Sequence, residues 1–213
     1  MLRVLWRRKI LVVFIVALLV LFPAASVRPA QAISKTILLS VGIEKVTDGY
    51  TVTGTVMESE TANKIISANG ATVPQALDRI TANTGRKVSL AHCNLIVLGE
   101  TLRADNVAEI LYYFLGKFEV SNNTSLIWTD GPVEKILKES EAGKSAGGAG
   151  LLEAVAEYNQ KHVFKKPVTL DAFYKNYLHG KDANMLVILL KDDEIYNTKQ
   201  MAVFKDGRFV HIK

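Results

Sequence analysis

Val88-Ser89-Leu90-Ala91-His92-Cys93-Asn94-Leu95-Ile96-Val97-Leu98-Gly99-Glu100 is the most hydrophobic and β-rich run beyond the N-terminus. Val88 and Leu90 alternate with Ser89, and Leu95 to Leu98 is continuously apolar. A short apolar run that stops at Gly predicts a central strand covered on both faces. Ile96 and Val97, being β-branched, favour a strand over a buried helix. Amphipathic segments flank the run, which makes it the expected sheet centre of an α+β domain.

On the N-terminal side, Thr36 to Ile43 is a predicted strand. Asp48-Gly49 signals a hairpin, and Tyr50 to Met57 is the return strand. Its Tyr50, Val52, Gly54 and Val56 face one side and Thr51, Thr53 and Thr55 the other. The polar run Glu58 to Asn69 is expected to be a loop tipped by Asn69-Gly70. Thr72 then caps a helix whose Val73, Ala76, Leu77 and Ile80 recur at i, i+3, i+4, i+7. Pro74 fits its first turn, and Asn83-Thr84-Gly85 ends it.

On the C-terminal side, a helix from about Ala104 carries Val107, Ile110, Leu111, Phe114 and Leu115 on one face. Asn123 to Trp128 is a strand, and the Asp130-Gly131-Pro132 turn opens a helix with Val133, Ile136 and Leu137. The order predicts a mixed β-sheet with flanking helices, mainly on one side. Composition then shifts to Gly, Ser and Ala, giving a flexible linker at 141–150. Residues 151–213 are expected to form a small, incomplete second unit of helix and hairpin. Leu151 to Gln160 is predicted to be helical. Thr169 caps a helix bearing Leu170, Phe173, Tyr174, Tyr177 and Leu178, stopped by Gly180. Met185 to Leu190 is a strand, and Asp206-Gly207 joins Met201–Phe204 to Phe209–Ile212. A lone hairpin is marginal in water, so this unit must dock on something. The expected domains are thus 1–32, 33–140, 141–150 and 151–213, with no internal repeat.

The net charge of +5 on 213 residues belongs to the leader. Arg3, Arg7, Arg8, Lys9 and Arg28 are five of the 26 Lys and Arg, and residues 1–32 hold no acid. The remaining 21 cations balance the 21 acids, which argues against a nucleic-acid partner. A basic start, the apolar run Ile10–Phe22 and small residues at Ala30 and Ala32 form the anatomy of a secretory signal, with cleavage after Ala32. The rival is a retained anchor, because Ile10 to Val27 carries no charge. Both place the body outside the cytoplasm. The one cysteine, Cys93, allows no internal disulfide and suits a small buried hydrophobe.

No constellation for catalysis emerges. Gly143-Lys144-Ser145 lacks the earlier Gly of a phosphate loop, since Lys138 stands there. His92 and Cys93, as neighbours in a strand, would point to opposite faces and could not share an ion. His162, His179 and His211 show no ligand spacing, and Asp192-Asp193-Glu194 reads as a solvated turn, with weak cation binding the rival. No metal, cofactor or catalytic residue is expected. Of Tyr112 and Tyr113, beside Phe114 and Phe118, one is expected to be exposed; an ordinary half-buried tyrosine is the expected reading, with a contact residue as the rival.

Several stretches resemble a known family in order. Gly42-Ile43-Glu44 followed by Asp48-Gly49-Tyr50-Thr51-Val52-Thr53 resembles the opening of the Ger(x)C family, the C-subunit lipoproteins of bacterial spore germinant receptors. Gly70-Ala71-Thr72-Val73-Pro74-Gln75-Ala76 is similar to its helix start, and Leu90 to Glu100 to its strand. Val168-Thr169-Leu170 and Ala202-Val203-Phe204-Lys205-Asp206-Gly207 resemble later signatures. The resemblance implies an α+β N-terminal domain of a non-enzymatic protein on the outer face of the spore inner membrane, beside integral-membrane receptor subunits. The family's lipobox cysteine is missing before Cys93, which strengthens the rival reading of a retained N-terminal helix. The family's further C-terminal domain is expected to be absent too, which would make the chain a shortened product or a minimal relative. The expected function is therefore protein–protein contact at a membrane during nutrient-triggered germination. The rival is an extracytoplasmic small-ligand or carbohydrate-binding domain, extending to an enzyme with an unrecognised site, and secreted rather than membrane-associated.

Overall fold

The computed structural model describes residues 35–57, 63–116, 120–142, 151, 168–191 and 194–213. The leader with Ala30 and Ala32, the linker from 143, the helix expected after Leu151, His162, and Asp192 with Asp193 lie outside the described residues.

Four parallel strands form the middle of the sheet. They are β1 (Thr36–Val46), β5 (Leu95–Gly99), β6 (Ser125–Thr129) and β8 (Ala183–Lys191), paired in the order β1-β5-β6-β8. Every residue of β5 is buried, as expected for a parallel strand with both faces covered. Antiparallel strands complete each side. β2 (Gly49–Met57) and β3 (Asn63–Gly70) continue beyond β1, while β9 (Glu194–Lys205) and β10 (Arg208–Ile212) continue beyond β8. Two short strands, β4 (Val88–Ser89) and β7 (Val168–Thr169), pair with β1 and β6. Strands from residues 183–213 thus hydrogen-bond into the sheet built by the first half of the chain, and Lys35–Lys213 is one compact unit.

The helices are α1 (Val73–Thr84), α2 (Val107–Gly116), α3 (Val133–Ala142) and α4 (Leu170–Leu178). One sheet face, with Ile43, Ile96, Leu98 and Trp128, packs against α1, α2 and α4. The other, with Leu95, Val97 and Ile127, packs against α3 through Val133, Ile136 and Leu137. The alternation Leu95/Ile96/Val97/Leu98 is the period-2 pattern of a strand buried on both sides. The fold is α+β, a mixed sheet with helices mainly on one face.

Four expectations need correction. First, Val88–Gly99 is two strands, not one. Both pair in parallel with β1, but Val88 to Leu95 spans seven positions where Thr36 to Ser40 spans four. The surplus loops out as a turn, closed by the Cys93 N–H on Leu90 O at 3.0 Å. His92 and Cys93 therefore lie in a turn, where His92 is exposed and Cys93 buried. Second, much of the predicted loop Glu58–Asn69 is edge strand β3, paired with β2 from Tyr50↔Gly70 to Met57↔Asn63. Its exposed Lys64, Ser67 and Asn69 give an edge strand the polar look of a loop. Third, β9 starts at Glu194, opposite Lys191, and so begins where an acidic turn was expected. Fourth, Leu178, assigned to the buried face of α4, is 76% exposed.

Candidate functional site: a cleft between two helix starts

The sheet brings the start of β2 against the first turns of α1 and α2. Thr72 caps α1 by accepting the Gln75 N–H. Asn106 opens α2, its Oδ1 accepting from Ala108 N at 3.1 Å and its Nδ2 donating to Glu109 Oε1 at 2.9 Å. Between them lies a cleft of about 580 Å³, within the size range of small-ligand sites. Val73, Pro74 and Ile110 give it an apolar wall, while Asp105, Glu109 and three tyrosines supply the polar groups.

Within the 105–116 segment the lining residues Glu109, Tyr112, Tyr113 and Gly116 fall at i, i+3, i+4, i+7. That is one helical stripe, beside the core stripe Val107, Ile110, Leu111 and Phe114. Tyr112 is 69% exposed, whereas Tyr113 is half-buried and sits edge-on to Phe114. The expected split between the two tyrosines is thus observed. Asp105 and Glu109 carried no sequence motif, and Tyr50 entered only as a strand residue and through the family resemblance; the second stripe on α2 is a signal that could have found Glu109 alone of the three.

At the edge of the cleft, Lys45 is held twice. Its Nζ donates to Asp105 Oδ1 at 3.3 Å and lies 4.3 Å from the centre of the Tyr50 ring. Tyr50 Oη also donates to Asp105 Oδ1, at 3.4 Å. Tyr50 raises the Lys45 pKa, opposed by desolvation and assisted by Asp105.

The remaining candidates do not converge. His92 is exposed in its turn, His179 is exposed at the end of α4, and His211 is exposed on β10. Cys93 donates to Leu95 O, and burial pushes its pKa up to about 12. Among the described residues no group of three or more His, Cys, Asp or Glu could hold a metal ion, and no helix is long and apolar enough to cross a membrane.

The stretches that resemble the germination family sit at joints of the fold. Gly42 lies against Val133 of α3, and Glu44 Oε1 accepts the Val133 N–H at 3.2 Å. Thr72 and Thr169 are the caps of α1 and α4. Gly207 has φ +75, and a Cβ there would overlap Asn106 and crowd Ala108. Its carbonyl accepts the Val107 N–H at 2.8 Å, so the β9–β10 turn seats the start of α2.

Residues 34–191 match the family described as the spore germination protein N-terminal domain. A crystal structure of the GerBC protein overlaps 81% of this chain and 51% of its own, with 15% identity and a TM-score of 0.42. The chain thus spans about half the length of that structure. No curated protein matches it. With the family match running over most of its length, the chain belongs to the spore germination protein N-terminal domain family.

Proposed function

We propose that the chain is a non-enzymatic, membrane-associated component of a spore germinant receptor. It works by protein–protein contact with integral-membrane subunits during nutrient-triggered germination. The observation that carries this reading is the family match over residues 34–191. The location of the family-like residues supports it: they cap helices and seat turns, which is what a binding scaffold needs. The leader, with its cations at one end and Ala30 and Ala32 at the other, would deliver the body to the outer face of the membrane.

Fractionation of spores followed by affinity purification of the tagged full chain tests this. The expected result is recovery in the inner-membrane fraction together with integral receptor subunits. Recovery in the cytoplasmic fraction, free of membrane proteins, would reject it.

A further inference from the structure

The cleft between α1 and α2 has the chemistry of a cation site. Lys45 shows how the neighbourhood treats an ammonium: one carboxylate at 3.3 Å and one aromatic face at 4.3 Å. The cleft offers the same two groups a second time. Glu109 lines it, with Tyr112 and Tyr113 three and four residues further along the same helix. Asp105 spends Oδ1 on both Lys45 and Tyr50, and Oδ2 has no partner among the described residues. Val73, Pro74 and Ile110 provide apolar surface in the same cleft. An ammonium over a tyrosine face gains from the ring quadrupole, and a nearby carboxylate adds Coulomb attraction.

We propose that this cleft binds a small organic ammonium carrying a short apolar body. Its charge lies against Glu109 and the tyrosines, and its carbon chain lies on Val73, Pro74 and Ile110. An anion meets the Glu109 carboxylate and is repelled. A neutral isostere retains only the apolar wall. The site stands on its own geometry, whether or not the chain serves in germination.

The test is an amide-resolved NMR titration of the isotope-labelled full chain in detergent. The probes are n-butylammonium chloride, n-butanol and sodium butyrate, at constant ionic strength. The expected result is a saturable shift confined to the cleft, centred on Glu109 to Gly116, with butylammonium alone. Glu109 and Tyr112 are exposed, so the E109Q/Y112A double variant keeps the fold, checked by unchanged amide positions elsewhere. It binds butylammonium at least about tenfold more weakly, the sum expected of one ion pair and one cation–π contact. The proposal is overturned if butylammonium gives no saturable shift, if butanol or butyrate binds as tightly, or if the double variant binds like the wild type.

Discussion

Gly42 of β1 and Val133 of α3 are packed so closely that a Cβ on Gly42 would overlap Val133 Cγ1 and crowd Leu137 Cδ1. The helix crosses the sheet on bare backbone at that point. An added methyl must displace α3, whose Val133, Ile136 and Leu137 are fully buried. Overpacking of this kind costs about 1–3 kcal/mol. G42A is therefore expected to lower the unfolding free energy by about that much, read from the midpoint of a urea melt.

Two residues on, Glu44 accepts the Val133 N–H that begins α3. A helix start carries orphan donors, and a carboxylate there also complements the helix dipole. E44A is expected to cost about 0.5–2 kcal/mol, while E44Q, which keeps an acceptor, costs less. Thermal melts of the two variants against wild type measure the difference.

Cys93 is 1% exposed, and desolvation pushes its pKa from an ordinary 9.0 up to about 12. At pH 8 it is expected to resist a water-soluble disulfide reagent in the folded chain and to react fully in denaturant. Linkage sets a second expectation. The unfolded state loses this proton near pH 9 and the folded state only near pH 12, so in that window the folded state binds more protons. Stability from this group is complete below pH 9 and falls as pH rises, by up to about 1.4 kcal/mol per unit. The fall should be shallower in C93A, measured by urea melts at pH 8 and pH 10.5.

The proposed export by the leader makes a chemical prediction about the chain terminus. Cleavage after Ala32 leaves Ile33 as the first residue. N-terminal sequencing of the chain from membrane and soluble fractions should find Ile33, and A32R should shift the product to the uncut form. A wild-type chain that keeps residues 1–32 would favour the anchor reading.

Much of the architecture was legible because helix caps and apolar spacing are local signals. Thr72, Thr169 and the stripes led by Val73, Val107 and Val133 mark helices that the structure contains. β3 was hidden because an edge strand with Lys64, Ser67 and Asn69 outward lacks strand hydrophobicity. The break between β4 and β5 depends on register against β1, which is a long-range property. The cleft was hidden for the same reason. Tyr50 and Glu109 lie far apart in sequence and meet only because β2 and α2 flank the same sheet end. Leu178 fits an apolar stripe by spacing, yet α4 ends before a neighbour covers it.

The proposed role in the receptor is tested most directly by nutrient-triggered germination of spores from which this chain has been deleted. Such spores are expected to lose their response to at least one nutrient and to regain it when the wild-type chain is restored. Deletant spores that answer every nutrient as fast as the parent would contradict that role.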